Sequence, residues 1–380
     1  MGYFKYDYTR KNWLIWRGLY SECTIKLIEY PHLISLTLLW YDIDKIREYP
    51  FLTSLTLRSC DNIDKLKEYP LLTSLSIKNC KKINELEEYP HLTSLNISHC
   101  NNISELKDYP LLNSLSLKYC DNINKIKEYP LLTHLTLHSC RNIKKLKEQL
   151  LLTSLDLSSY SNIKNLIYPA LFPLLTSLAL GYCYNISELQ ELNLFPLLNH
   201  LTLEHCRDIK KIKELNSFPL LTSLTLKHCN NIKKLTHYPL LTHLTLEWCD
   251  DINELGEYPL LTSLIIYGTI IQKLKDIISF PLLTTLDLKW PMYIIEELKN
   301  YISVPLLTSL TICGCNTNEL KILSPLLTSF TLTYCDNIKI LKELILSSLV
   351  THLKVKKCKN LGYIKTKNKE EIQKYIQKYT

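Results

Sequence analysis

Between residues 31 and 363, apolar side chains recur by one rule. In a representative repeat they are Leu55, Leu57, Cys60, Ile63, Leu66, Tyr69, Leu72 and Leu75, one step of two residues followed by six steps of three, a period of 20. The step of two, Leu-x-Leu flanked by Thr and Ser, predicts a single short strand whose leucines point the same way. Steps of three fit neither a strand nor a long α-helix. They predict coil of 3₁₀ or polyproline character that returns one residue per turn to the same interior. The 23-residue repeats from Cys183 to Cys206 and from Cys206 to Cys229 obey the rule with one further step of three, inserted ahead of the proline and away from the strand.

Prolines at 31, 50, 70, 90, 110, 130, 173, 196, 219, 239, 259, 281, 305 and 325 open repeats, and two more begin without one at Leu150 and Ser348, which makes sixteen. No repeat can bury its own apolar side, so stability has to come from stacking on neighbours. Sixteen strands at about 4.8 Å give a sheet on the order of 75 Å along its arc. Both open ends then need caps. Residues 1–30 read as an N-terminal cap, in which "NWLIWRGLYSECTIKLIEY" is apolar enough to be a degenerate first repeat, and 31–363 as the solenoid. Residues 364–380 read as a basic capping helix, with Asn368 and Glu371 as a capping box and Ile372, Tyr375, Ile376 and Tyr379 as one apolar stripe.

"LTSLTLRSCDNI", residues 52–63, resembles the leucine-rich repeat L-x-x-L-x-L-x-x-N/C-x-L, with Cys60 in the Asn/Cys slot. The resemblance covers residues 31–363. It implies an α/β-type solenoid, a horseshoe with a parallel β-sheet on its concave face, coil and 3₁₀ turns on its convex side, and recognition of proteins. The Cys60–Ile63 spacing is similar to the cysteine-containing subclass found in F-box substrate receptors, although 20 residues are too few for that subclass's convex helix. "EYPLLTSLTL", with its lysine and asparagine bias, resembles repeat proteins encoded by giant DNA viruses of amoebae. These resemblances imply a non-enzymatic scaffold for protein–protein interaction in the cytoplasm, that of the host cell if the protein is viral. A substrate-recognition adaptor for ubiquitin ligation and a structural component of a viral particle are the alternatives they leave open.

The repeat cysteines are Cys60, Cys80, Cys100, Cys120, Cys140, Cys183, Cys206, Cys229, Cys249, Cys315, Cys335 and Cys358, a whole repeat or more apart. Zinc sites need tight local clusters such as C-x-x-C, so these thiols read as small core hydrophobes. Tyr41, Tyr160 and Thr269 stand in the same slot, which argues against a metal role. Cys313 alone is expected to face outward. Asparagines two residues after the cysteine slot, as at 62, 102, 142 and 360, suit hydrogen bonds to backbone where the strand bends into coil.

Function is sought in outward positions between the core leucines. Early repeats carry small polar residues there, whereas later ones carry His200, Glu204, His205, His228, His243, Glu247, Trp248, Tyr267, Lys289 and Trp290, a composition suited to a protein-binding hot spot. No Gly-rich phosphate loop, nucleophile elbow or H-E-x-x-H motif is present, and no cofactor or metal is predicted. No run of about 18 apolar residues predicts a membrane span. The formal charge of +8 is local, since nine lysines against Glu370 and Glu371 give +7 between Thr351 and Thr380. Attraction to nucleic acid or an acidic surface is therefore expected only through this tail. The protein is expected to be monomeric.

Overall fold

The computed structural model describes residues 3–6, 13–17, 32–40, 46, 48–160, 171–183, 195–206, 218–230, 232, 235, 238–252, 255–269, 280–289, 302–314, 322–338 and 349–379. The chain forms two compact halves, Met1–Cys183 and Tyr184–Thr380. In the first, the strands are β1 (Tyr3–Tyr6), β2 (Trp13–Arg17), β3 (Ser35–Leu39), β4 (Ser54–Arg58), β5 (Ser74–Lys78), β6 (Ser94–Ser98), β7 (Ser114–Lys118), β8 (His134–His138), β9 (Ser154–Ser158) and β10 (Ser177–Gly181). Strands β2 to β10 pair in parallel in chain order, and β1 closes the edge antiparallel to β2.

The second half contains β11 (His200–Glu204), β12 (Ser223–Lys227), β13 (His243–Glu247), β14 (Ser263–Tyr267), β15 (Thr285–Lys289), β16 (Ile302–Ser303), β17 (Ser309–Cys313), β18 (Ile322–Leu323), β19 (Ser329–Thr333), β20 (His352–Lys356) and β21 (Ile364–Thr366), followed by helix α1 (Lys369–Lys378). Strands β11 to β15, β17, β19 and β20 form the parallel sheet, and β16 pairs separately with β18. Each half is thus a β-solenoid, one strand per rung. A solenoid with a C-terminal capping helix is what the two-then-threes spacing and the α1 stripe predict.

Register is one-to-one, as in Leu55↔Leu75 and Leu57↔Ile77, so each slot of a rung sits directly on the same slot of the next. Ladders of identical side chains follow. The leucine and cysteine slots are buried throughout the described rungs. The steps of three are closed by isolated turns. Tyr-Pro-x-Leu closes through Leu52 N–H to the Tyr49 carbonyl at 3.1 Å, with proline pre-setting the first central residue, and Cys-x-x-Ile closes through Ile143 N–H to the Cys140 carbonyl at 3.1 Å.

Polar side chains bind rung to rung. The threonine ahead of most strands donates to the carbonyl of its counterpart one rung earlier, as Thr73 Oγ1 does to Thr53 at 3.0 Å and Thr242 Oγ1 to Thr222 at 2.9 Å. The asparagines after the cysteine slot also bond backbone where strand bends into coil, on the rung before their own. Asn102, Asn142 and Asn360 donate to the carbonyls of Lys81, Asp121 and Asp336 at 2.6, 2.7 and 2.6 Å.

Buried tyrosines form a further stack. Tyr69, Tyr89, Tyr109 and Tyr129 lie face over face with centroids 6.3–6.5 Å apart. The hydroxyl of Tyr129 donates to the carbonyl of Lys107 at 3.3 Å. On the next rung Gln149 takes the slot, and its Nε2 donates to Lys127 O at 3.0 Å, reproducing the tyrosine hydroxyl's bond.

Asn368 caps α1 by accepting from Glu370 N–H at 2.9 Å and Glu371 N–H at 3.4 Å. The reciprocal half of the expected capping box is made differently, because Asn368 N–H donates to Thr366 Oγ1 at 3.0 Å. Ile372 and Ile376 are buried, and the Tyr375 and Tyr379 hydroxyls hold the carbonyl and N–H of Gly362 at 2.6 and 2.9 Å.

Candidate partner-binding face

A regular strand of the parallel sheet has five residues, of which the second and fourth enter the core and the first, third and fifth face outward. The residue after the strand is unusual. In every described rung from Trp40 to Lys357 it has a positive φ, between 49° and 63° for the non-glycine residues. This left-handed residue turns the chain so that the following cysteine drops into the core, and its N–H donates to the strand-end carbonyl of the next rung, as His228 does to Glu247 at 2.7 Å. His205, His228 and Trp248, expected on the strands, occupy this turn instead. Their rings line the edge of the sheet.

There they stack. The His205 and His228 rings lie 4.1 Å apart at 11°, and Trp248 continues from His228 at 6.3 Å and also at 11°. Tyr267 meets Trp248 at 5.1 Å in a tilted contact. The next turn residue is Gly268, and the indole lies across it, since a Cβ built there would come 2.4 Å from Trp248 Cε3. In the N-terminal half, His99, Tyr119 and His138 stack similarly at 4.3 and 4.8 Å.

The remaining predicted residues are anchored locally. His243 Nδ1 lies 2.8 Å from Thr242 Oγ1, whose own hydrogen goes to the Thr222 carbonyl, so the proton sits on Nδ1 and the imidazole donates. His200 donates from Nδ1 to Asn199 Oδ1. Glu247 pairs with Lys227 at 3.2 Å. Lys289 pairs with Asp287 at 2.8 Å, and that carboxylate holds the ammonium pKa above its ordinary value. Glu204 is half-buried at the end of β11, in register with Lys227. Trp290 lies outside the described residues.

The thiol slot behaves as packing. Eleven of the twelve repeat cysteines are buried and outside any disulfide, and Cys315 lies outside the described residues. Their Sγ atoms donate to the carbonyl two residues back, as in Cys206 to Glu204 at 3.3 Å, and often to the rung below, as in Cys229 to Leu203 at 3.3 Å. Thr269, buried in the same slot, makes the equivalent bond to Tyr267 O at 3.3 Å and accepts from Cys249 N–H at 3.0 Å. Any small hydroxyl or thiol therefore suits the position. Burial raises Cys100 and Cys183 to about 11, and Cys140 and Cys249 to about 12.

Cys335 carries one further bond in the same packing slot. It is fully buried and donates from Sγ to the Thr333 carbonyl at 3.3 Å, as its counterparts do. Its backbone N–H, however, donates to the Sγ of Cys358 on the following rung at 3.4 Å. The sulfur of Cys358 thus serves as a hydrogen-bond acceptor, in the place where Thr269 Oγ1 serves Cys249. Hydrogen bonding with the Cys335 side chain, and burial after it, push the Cys358 thiol well above its ordinary range. The physical reason is the one-to-one stacking, which sets polar sulfur directly on polar sulfur near the end of the solenoid. Neither thiol is in a disulfide.

Cys313 corrects one expectation, because it is buried although its slot faces outward. Its short side chain sits in register between Lys289 and Thr333 and is shaded by them, as Ser98 is between Lys78 and Lys118. Among the described residues no group of three or more His, Cys, Asp or Glu is placed to hold a metal, and no helix is long and apolar enough to cross a membrane. The His205–His228 pair does not chelate either. Parallel imidazoles aim their in-plane lone pairs side by side, so the two cannot converge on one ion.

A row of leucines lies outside the periodic apolar series. The residue after each proline, third in the Tyr-Pro-x-Leu turn, projects outward along the other edge of the sheet. In the N-terminal half it is Phe51, Leu71, Leu111, Leu131, Leu151 and Leu174, each 40–47% exposed. In the C-terminal half it is Leu197, Leu220, Leu240, Leu260, Leu282, Leu306, Leu326 and Leu349, each 37–46% exposed. The face is thus bordered by an apolar ridge on one side and by the turn residues on the other. No known family profile matches the chain, and no curated protein is significantly similar to it.

Proposed function

We propose that the protein is a non-enzymatic scaffold of the leucine-rich-repeat type, related to the viral repeat proteins its sequence resembles, that holds protein partners against the outward face of its sheet. The observation carrying this reading is the exposed leucine ridge. An apolar side chain left in water on nearly every rung, in line over each half, is a contiguous patch of the kind that marks association with other proteins. The rings of His205, His228 and Trp248 supply rigid aromatic anchors on the opposite edge of the C-terminal half. Twelve buried thiols outside any disulfide suit a reducing compartment such as the cytoplasm.

The test is affinity capture from the native cell, comparing wild type with His205→Ala/Trp248→Ala and with Leu240→Ser/Leu260→Ser, each checked for folding by circular dichroism. Loss of the same partners from both variants supports the reading. Partner lists unchanged in both variants would overturn it.

A further inference from the structure

The near-neutral body of the chain conceals a segregation of charge. From β3 to β8 the outward strand positions carry no carboxylate: they are Ser, Thr, Asn, Leu39, three imidazole-or-hydroxyl positions on β8, and the cations Arg58, Lys78 and Lys118. The first acid on this face is Asp156 on β9. Arg58, Lys78 and Lys118 are all exposed at the same slot, the strand end. On the coil side of this half several lysines are paired instead. Lys65, Lys67, Lys107, Lys127 and Lys147, on the coil side, each lie within 2.8–4.0 Å of a carboxylate. On the sheet of the other half, Lys227 and Lys289 are likewise paired.

We infer that the strand face from β4 to β8 binds an acidic, extended peptide segment of a partner protein, laid across the rungs. The three cations lie on β4, β5 and β7, a span of about 14 Å, which an extended peptide covers in roughly four or five residues. Arg58 offers a carboxylate its bidentate fork, and Lys78 and Lys118 offer point charges. Between them Ser74, Ser76, Ser114 and Ser116 place hydroxyl donors on the same face. A nucleic acid fits less well, because single strands need open aromatic faces for their bases. Tyr119, the large ring beside this row, already has His99 at 4.3 Å on one side and His138 at 4.8 Å on the other.

This assignment rests on the protein-binding reading above and gives the partner a chemistry. Its test is fluorescence anisotropy with a short labelled polyglutamate peptide on the full chain at low salt. Wild type is expected to bind, with affinity falling steeply by about 0.3 M salt. The Arg58→Glu/Lys78→Glu/Lys118→Glu variant is expected to lose about tenfold or more in affinity. A variant with Lys365, Lys367, Lys369 and Lys374 changed to Gln keeps most of the binding, which separates the face from the basic tail. Unchanged affinity in the triple variant would overturn the assignment. So would a labelled oligothymidylate that binds more tightly than the peptide and is lost in that variant. Because the peptide reads only this face, its failure alongside intact effects of the Trp248 and leucine variants would remove the acidic partner and leave the scaffold reading standing.

Discussion

Gln149 offers a quantitative check on the rung-to-rung bonding. It is 2% exposed in a slot that the five preceding rungs fill with tyrosine, from Tyr49 to Tyr129. Its side chain accepts from Tyr129 N–H at 3.3 Å and donates to Lys127 O at 3.0 Å. Gln149→Leu strands both backbone groups. Each costs about 1–3 kcal/mol, and the more apolar side chain returns about 1 kcal/mol, so the expected net loss is about 1–5 kcal/mol. Gln149→Tyr keeps the bond to Lys127 O, as Tyr129 makes to Lys107 O, and extends the ring stack, so it should fall within about 1 kcal/mol of wild type. Solenoid energetics are nearest-neighbour, so a single global unfolding curve dilutes the effect. Hydrogen exchange of the β8 and β9 amides is the better measure, with opening expected to rise about fivefold or more in Gln149→Leu and little in Gln149→Tyr. Equal protection in Gln149→Leu and wild type would refute the claim that side-chain bonds across rungs stabilise the stack.

Cys100, Cys140, Cys183 and Cys249 should be silent to a thiol reagent in native protein near neutral pH and react in denaturant, since burial disfavours the thiolate. The unfolded thiol ionises near 9.0, whereas folded Cys100 and Cys183 ionise near 11 and Cys140 and Cys249 near 12. Their contribution is therefore complete below about pH 9 and lost as pH rises toward 11–12, so stability to urea should fall across that window. Equal stability at its two ends would contradict the assignment. Gly268→Ala should displace the Trp248 indole, both by contact at 2.4 Å and by strain at φ +61°, costing about 1–3 kcal/mol and removing the same near-ultraviolet dichroism that Trp248→Phe removes. An unchanged spectrum would show that the indole does not lie over this glycine.

What the sequence revealed and what it hid have the same cause. Period and slot identity are written directly in the chain, because one-to-one register makes each core position a repeated letter. Leu55, Leu57, Cys60 and Tyr69 are legible as core for that reason. The direction of a side chain at a turn is not periodic information. His205, His228 and Trp248 directly follow a strand, and counting alternate positions cannot show that a left-handed residue intervenes, because the usual signal, glycine, stands only at Gly268 and Gly314. Pairwise bonds between rungs are equally invisible to a count. The N–H of Cys335 on the sulfur of Cys358 depends on which polar atom the next rung presents, not on the period. The exposed leucines were hidden by chemistry instead. In Leu-Leu-Thr the first leucine breaks the series of threes, and that break was its signal. Its apolar character suggests core, whereas its place in a proline turn puts it in water.

The same reasoning bears on where function resides in such a chain. Stacking forces repeat after repeat to the same leucine, cysteine and threonine letters, and leaves free only outward strand slots and the turn residue. In the N-terminal half those free slots vary among hydroxyl, Lys, Arg and His without admitting a carboxylate for six strands, whereas the coil side of the same rungs admits Glu freely beside Lys. A bias of composition that acted on the whole chain would not respect the two faces of one rung. The exclusion of acid follows the surface, not the sequence, and it is this correlation that points to a partner on the sheet.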